Sequence, residues 1–183
     1  MKQHKIDFGF ISTLEGGSIT EGYVPDPDNS KSGVTIATGF DLGCRNQTDL
    51  VDLGLPENIV AAFTPYLGLQ GRTALDKLKS TPLALHQVEC QYIDFCVKKS
   101  TTNGVITEYN NNSQTEFTSL PAEWQTVIAS VSFQYGSLKT RCPTFFGYVV
   151  NRQWDKAIAE LRNFGDRYSS RRNKEADLVS AQT

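Results

Sequence analysis

The chain has 183 residues, which is long enough for one domain with a sizeable hydrophobic core, and its 39% hydrophobic and 21% charged residues are typical of a globular protein. This composition excludes a disordered or a fibrous protein. The 18 Lys and Arg against 20 Asp and Glu leave a formal net charge of −2, so no overall positive field is available for a nucleic acid or an anionic membrane. We therefore expect a neutral or mixed substrate and no nucleic-acid partner.

The first predicted helix covers residues 5–15, KIDFGFISTLE, because its apolar side chains recur at near-helical spacing. Glu15 ends this helix, and the pair Gly16-Gly17 is a suitable C-terminal cap. Residues 18–43 then change to short β-branched runs with two prolines and four glycines, a pattern that predicts a small antiparallel sheet.

From residue 45 onward the sequence predicts mainly helices. Three short ones are expected in NQTDLVDLG, PENIVAAFTPYLG and GRTALDKLK, and a longer one in TPLALHQVECQYIDFCVKK, entered through Thr81-Pro82. Residues 100–119 are polar and asparagine-rich, which predicts a loop that contains at most one short strand or hairpin.

The last third of the chain predicts a buried central helix followed by closing helices. LPAEWQTVIASVSFQYG places its apolar residues on one helix face and ends at Gly136. CPTFFGYVVNRQWDKAIAELRNF and SSRRNKEADLVSAQ predict the closing helices, the last one capped by Ser169 or Ser170. We therefore predict one α+β domain with a small N-terminal lobe (residues 1–45), a larger helical lobe (residues 46–183) and a ligand cleft between them.

The four cysteines do not predict a metal site, because Cys44, Cys90, Cys96 and Cys142 have neither CxxC spacing nor a nearby histidine cluster. Cys90 and Cys96 fall in one predicted helix, about 9 Å apart along its axis, which exceeds the disulfide reach of about 7 Å. Free buried thiols are expected, and any bridge would involve Cys44 or Cys142. No cofactor is expected.

No stretch reaches the roughly 18 apolar residues of a membrane-spanning helix, so no integral membrane association is expected. The N-terminal segment MKQHKIDFGFISTLEGG also lacks the apolar core and the small-residue cleavage site of a signal peptide. We expect synthesis in the cytoplasm and any export by another route.

Carboxylate chemistry is the strongest functional candidate in the first 45 residues. At a helix C-terminus the partial negative charge of the carbonyls favours a protonated carboxyl group, so Glu15 is a candidate general acid. A second, ionised carboxylate that orients water would complete a glycoside hydrolase, and Asp26, Asp28 and Asp41 are candidates, with the Thr35 hydroxyl holding the water. The ordinary alternative is that Glu15 is a solvated charge and Asp41 a turn residue where a strand ends.

A resemblance to a known family changes this weighing. The order FISTLEGG, TEGYVP and SGVTIATGFDLG resembles the catalytic lobe of phage-type lysozymes, and GFDLG is most similar to the pesticin-like branch of bacterial muramidase toxins. TPYLGLQGRTAL resembles the segment after the sheet in that branch, and VIASVSFQYGSL, RQWDKAIAELRNF and SSRRNKEADLV resemble the later helices of phage lysozymes. The resemblance covers nearly the whole chain except the loop around residues 103–114.

The resemblance implies a lysozyme-like fold and hydrolysis of the β-1,4 bond between N-acetylmuramic acid and N-acetylglucosamine, with inversion. It also implies that Glu15 is the catalytic glutamate, Thr35 the active-site threonine and Asp41 the second carboxylate. In phage enzymes the assisting aspartate follows a tyrosine in the sheet, and GYVPDPD departs from that pattern through two prolines, so Asp26 remains a rival. We favour Asp41 because its local motif matches more closely.

Six further side chains are weaker candidates for contacts with the substrate. Arg171 and Arg172 would contact peptide or muramyl carboxylates, unless they form a solvated basic pair. Four others would line the sugar cleft, although aromatic residues at such spacings are more often core: Tyr23, Phe40, Gln134 and Tyr135.

Two other functions remain open at this point. A lytic transglycosylase also uses one glutamate but needs no water-positioning aspartate, so Thr35 and Asp41 argue against it. A peptidoglycan-binding module that has the fold without the activity is the second alternative. Retention of the three matched residues argues against this second alternative.

The biological setting implied by the resemblance is an antibacterial toxin. We expect a monomeric effector that a secretion machine, such as a type VI system, delivers into the periplasm of another bacterium. Its expected partners are peptidoglycan glycan strands and a cognate immunity protein. A phage endolysin is the alternative.

Overall fold

The computed structural model describes residues 3–181, which form a mostly helical α+β structure with a small antiparallel sheet near the N-terminus. The predicted fold class is thus confirmed. In chain order the elements of the described residues are α1 (Phe8–Leu14), β1 (Ile19–Tyr23), β2 (Thr35–Ala37), β3 (Phe40–Asp41), α2 (Gln47–Asp52), α3 (Glu57–Phe63), α4 (Gly71–Ser80), α5 (Gln87–Asn110), α6 (Ala122–Tyr135), α7 (Leu138–Arg141), α8 (Pro143–Val150), α9 (Trp154–Arg162) and α10 (Ser169–Ser180).

Helix α1 begins three residues later than the sequence predicted. The Lys5 N–H donates to Gln125 Oε1 at 2.7 Å, and the Asp7 N–H donates to Thr126 Oγ1 at 2.9 Å. These contacts with α6 hold the residues before α1 outside the helix, and the Asp7 side chain caps the first turn by accepting from the Phe10 N–H at 3.0 Å.

The end of α1 agrees with the prediction, although the cap differs. Glu15 is the C-cap residue, and its extended backbone (φ −99°, ψ 154°) stops the helix. Gly16 and Gly17 do not adopt the left-handed conformation of a glycine cap.

The three strands follow the order β1-β2-β3, and both neighbouring pairs are antiparallel. Thr38, in the short loop between β2 and β3, donates its N–H and its hydroxyl to the two carboxylate oxygens of Asp94 on α5, at 3.0 and 2.9 Å. The loop is therefore held in place by a side chain of the longest helix.

The prediction that Thr81-Pro82 opens a long helix was wrong. The segment after Pro82 lies along β1 instead, because the Gly22 N–H donates to the Leu83 carbonyl at 2.8 Å and the Leu85 N–H to the Thr20 carbonyl at 2.9 Å. Helix α5 starts only at Gln87.

The predicted loop over residues 100–119 was wrong for residues 100–110, because α5 continues to Asn110. Thr102, Val105 and Tyr109 recur three to four residues apart and are buried, while the neighbouring polar residues Asn103 and Thr107 are exposed. The asparagine-rich composition concealed this buried face.

The described chain folds into two compact units. Unit 2 is Gly16–Ser100, where the sheet shares one hydrophobic core with α2, α3 and α4, which include the buried Leu50, Ile59 and Phe63. Unit 1 contains the described residues up to Glu15 and those from Thr101 onward. These units differ from the predicted lobes, since α2, α3 and α4, which follow residue 45, share the core of the sheet.

Unit 1 is built around α6, whose residues from Trp124 to Ser132 are all buried, as predicted for the central helix. Gly136, with φ +76°, follows its last turn. The predicted Ser169 or Ser170 cap of α10 is wrong, because Tyr168 is the N-cap residue and provides no side-chain hydrogen bond. Among the helices of residues 3–181, none combines the length and hydropathy needed to span a membrane.

Candidate active site

Asp41 is the last residue of β3, and two backbone amides hold its half-buried side chain. Its Oδ1 atom accepts hydrogen bonds from the Gly33 N–H at 2.9 Å and from the Gly43 N–H at 2.7 Å. Both bonds use the same carboxylate oxygen. The orientation of the carboxylate is thereby defined, and Oδ2 takes part in neither bond.

Glycine is required at both positions that bind Asp41, because the two backbones touch. A Cβ atom on Gly43 would lie 2.6 Å from the Gly33 nitrogen, and one on Gly33 would lie 2.5 Å from the Leu69 carbonyl oxygen. Neither distance is tolerated by a real Cβ atom. Gly33 and Gly43 of the motif SGVTIATGFDLG therefore permit the close approach that brings both amides to one carboxylate.

Thr35 is paired with Asp41 across β2 and β3. Its side chain is buried, and its hydroxyl donates to the Gly33 carbonyl at 3.2 Å. The hydroxyl oxygen keeps lone pairs that can accept a hydrogen bond. Thr35, Gly33, Asp41 and Gly43 thus form one hydrogen-bonded cluster in unit 2.

The rival carboxylates lie in an exposed turn between β1 and β2. Asp26 has a left-handed backbone (φ +41°), its carbonyl accepts from the Ser30 N–H at 2.9 Å, and its side chain accepts from Asn29 Nδ2 at 2.9 Å. Asp28 forms an ion pair with Arg72. The contacts of both aspartates stabilise this turn and the start of α4.

Glu15 belongs to unit 1, where it is half-buried at the end of α1. The preceding Leu14 carbonyl accepts from Arg171 Nη1 at 3.4 Å. Arg171 also donates through Nη2 to the Ser130 carbonyl and hydroxyl, at 3.1 and 3.0 Å, and through Nε to Glu175 at 3.2 Å. The backbone next to Glu15 is therefore tied to α6 and α10.

A buried polar network continues from Arg171 into the core of unit 1. Arg172 is only 1% exposed and binds Glu175, which is fully buried, as well as Asp166 and Gln134. The interpretation of Arg171 and Arg172 as a solvated pair was therefore wrong for Arg172. The cost of burying these charges is offset because each one has a partner of opposite charge.

Sequence reasoning missed Glu175, Asp166 and Ser130, although one signal was present in α10. Arg172, Glu175, Ala176 and Val179 follow the i, i+3, i+4, i+7 spacing of a buried helix face, and all four are buried. Two opposite charges on such a face indicate a buried ion pair.

The four predicted cleft-lining side chains have different surroundings. Phe40 is in the core of unit 2, against Phe63 at a ring distance of 5.8 Å, and the Arg45 guanidinium lies 4.3 Å from its ring centroid. Tyr23 is half-buried on β1. Gln134 and Tyr135 belong to the buried network, where Gln134 accepts from Arg172.

Tyr135 donates its hydroxyl to Asp166 Oδ2 at 2.6 Å. Burial and this bond raise the pKa of Tyr135 to about 12, although the nearby Arg172 has the opposite effect. Burial alone would raise the pKa of Asp166, but hydrogen bonds from Tyr135, the Tyr168 N–H and Arg172 lower it below its ordinary value. Asp166 is therefore an ionised member of the network at neutral pH.

All four cysteines are free thiols, with Cys44 exposed and the other three buried. In the described part of the chain, no cluster of three or more His, Cys, Asp or Glu residues is arranged to hold a metal ion.

Comparison with known proteins identifies the family. A search of curated proteins returned no match. The model of the Pesticin family, described as a bacterial toxin homologue of phage lysozyme, C-terminal part, matches residues 5–155. This match includes Glu15, Thr35 and Asp41 and most of the chain, which therefore belongs to the pesticin family of lysozyme-like bacterial toxins.

Proposed function

We propose that the protein is an N-acetylmuramidase that hydrolyses the β-1,4 bond between N-acetylmuramic acid and N-acetylglucosamine in peptidoglycan. Family membership supports a muramidase-type toxin in general. The observation that carries the finer proposal is the Asp41 carboxylate, which two amides orient through one oxygen, on a residue paired with Thr35 across β2 and β3. A purely structural role in the turn accounts for the two hydrogen bonds that Oδ1 accepts. Oδ2 takes part in neither of them and can accept a hydrogen bond from water.

In the proposed reaction, Glu15 donates its proton to the glycosidic oxygen as the bond from that oxygen to the muramic acid C1 breaks. A water molecule attacks C1 from the opposite face, and its proton passes to Asp41. The Thr35 hydroxyl accepts a hydrogen bond from this water and positions it. The products are a reducing muramic acid end and a free 4-hydroxyl on N-acetylglucosamine, with inversion at C1.

The experiment that tests this function is mass spectrometry of the muropeptides released from purified sacculi. Wild type should release fragments with reducing muramic acid ends, and Glu15→Gln should release none, because an amide cannot supply the proton. Glu57→Gln, which removes an exposed carboxylate at the start of α3, is the matched control and should behave as wild type. Folding of each variant is checked by circular dichroism.

Three outcomes would contradict the proposal in different ways. Anhydromuramic ends would assign a lytic transglycosylase, and no release by wild type would assign a binding module. Retention of more than about a tenth of the rate by Glu15→Gln would remove Glu15 from the mechanism. Inversion is tested separately by ¹H NMR, which should detect the α-anomer of the new reducing end before mutarotation.

The proposed biological role is that of an antibacterial effector that acts in the periplasm of a target bacterium and is neutralised by an immunity protein. The toxin family supports this role. Production in a Gram-negative host with an added export signal should lyse the cells, whereas production without that signal or of exported Glu15→Gln should not. Equal lysis by exported wild type and Glu15→Gln would reject a role based on hydrolysis.

A further inference from the structure

Unit 1 contains a cavity of about 300 Å³ where the end of α1 meets the start of α10. Thr13 and Leu14 form one side, so the cavity lies directly before Glu15 in the chain. The remaining lining comes from the segment Arg167–Ser170 and from Arg171 and Lys174 on α10.

The lining of this cavity carries three cations and no carboxylate. Arg171 is partly neutralised by Glu175. Arg167 donates to the hydroxyl of the neighbouring Tyr168 at 2.9 Å, and neither Arg167 nor Lys174 has an ion pair with a carboxylate in the described chain. The cavity therefore presents an excess of positive charge in a protein whose formal net charge is −2.

Backbone donors add to this charge. Helix α10 has 12 residues, and its N-cap residue Tyr168 provides no side-chain acceptor for the first turn. Ser169 and Ser170, the first two residues of α10, line the same cavity as the basic side chains, so the positive end of the helix dipole adds to the charge there. The hydroxyl groups of Ser169 and Ser170 offer further donors, whereas the Thr13 hydroxyl already donates to the Phe10 carbonyl at 2.7 Å.

We infer that this cavity binds a carboxylate of the peptide that is attached to muramic acid in the substrate. The inference rests on the proposed function, which supplies a substrate whose glycan is neutral and whose peptides carry carboxylates. A planar carboxylate suits Arg167 together with Lys174 and the α10 amides. Because Leu14 lines the cavity, the bound peptide would position its own muramic acid beside Glu15.

The test compares native sacculi with sacculi whose carboxylates have been converted to neutral methylamides, both freed of phosphate-containing polymers. The glycan and the peptides are the same in the two substrates, so only the carboxylate charge differs. Wild-type kcat/KM should be about tenfold lower on the amidated sacculi, the scale of one or two charge-assisted hydrogen bonds.

Lys174→Gln and Arg167→Gln remove one cation each without touching the Arg171 contact to Leu14. Each should lower kcat/KM on native sacculi by about fivefold and respond less than wild type to amidation. Lys79→Gln, which removes an exposed cation on α4, is the matched control and should follow wild type on both substrates. An equal response of wild type and Lys174→Gln to amidation would overturn the inference, as would no response of wild type.

A binding measurement separates this inference from the proposed function. In Glu15→Gln, the fraction that sediments with native sacculi should exceed the fraction with amidated sacculi, and the further substitution Lys174→Gln should remove the difference. If wild type hydrolyses nothing, the proposed function fails. A difference in sedimentation between native and amidated sacculi would still support binding of a carboxylate in the cavity. If the difference is absent or independent of Lys174, the cavity does not bind the peptide carboxylate.

Discussion

Asp41 combines a structural contact with a proposed chemical role. Its Oδ1 atom joins Gly33 to Gly43, which are ten positions apart in the chain, and its backbone carbonyl accepts from Arg45 Nε at 3.1 Å. Asp26, by contrast, makes its contacts within its own exposed turn. The two candidates therefore differ in how firmly the protein holds the carboxylate.

This difference predicts unequal effects of the two isosteric substitutions. Asp41→Asn should reduce kcat by at least about 100-fold, because the amide cannot accept the proton of water. Asp26→Asn should change kcat by less than about threefold, as is usual for an exposed turn residue. The rates are measured on sacculi as released reducing ends. A larger loss for Asp26→Asn would transfer the second carboxylate to Asp26.

At the scale of elements, two glycines illustrate opposite demands on the backbone. Gly33, before β2, faces the Gly43 backbone with no room for a side chain. Gly104, inside α5, is exposed, and an added Cβ atom would meet no atom within 4 Å apart from the nearby backbone of its own helix. The same substitution should therefore have opposite signs at the two positions.

Gly33→Ala should lower the free energy of unfolding by about 2–3 kcal/mol, because the backbones must separate. It should also lower activity, since the Gly33 N–H then moves away from Asp41. Urea denaturation and the sacculus assay measure the two effects. An unchanged midpoint would show that the contact between Gly33 and Gly43 can relax.

Gly104→Ala should raise the free energy of unfolding by about 0.5–1 kcal/mol, because alanine loses less backbone entropy in a helix. The thermal midpoint should rise, and activity should not change. A lower midpoint would contradict the continuous helix α5 in this region, where the composition suggested a loop.

For the molecule as a whole, we expect the buried charges of unit 1 to determine how the free energy of unfolding responds to mutation of the network and to pH. Arg172 joins α6 to α10 and to the segment before α10 through Gln134, Glu175 and Asp166. Such a network depends on every partner, because a buried charge left alone is costly.

Arg172→Met should therefore destabilise the protein by about 3–5 kcal/mol, since it leaves Glu175 and Asp166 without this partner. The double substitution Arg172→Met with Glu175→Leu should recover part of the loss by removing one of the stranded charges. Chemical denaturation of the two variants provides the comparison. Equal stability of the single variant and wild type would show that the network contributes little to folding.

The same network predicts a pH dependence. The pKa of Asp166 is lower in the folded chain than its ordinary value, so its contribution to stability is present above about pH 4 and is lost as pH falls through the folded pKa. Asp166→Asn should be less stable than wild type at pH 7, and the difference should shrink as pH falls below about 4. A constant difference between pH 7 and pH 3 would contradict this assignment.

The sequence by itself determined the α+β class, the end of α1 at Glu15, the position of the sheet and the central helix α6. These features depend on local signals: apolar periodicity, β-branched runs and glycine or proline boundaries. The motif around Asp41 was also local, because its glycines and carboxylate lie within residues 32–43. The family could be recognised for the same reason.

Only the tertiary structure decided the features that depend on partners distant in the chain. Residues 100–110 are polar in composition, yet they are helical because Val105 and Tyr109 pack into a core formed mainly by later residues. Arg172 is buried rather than solvated because Asp166, Glu175 and Gln134 meet it in space. The spacing in α10 indicates a buried face, but Asp166 and Gln134 lie outside that helix, so the full set of partners exists only in the folded chain.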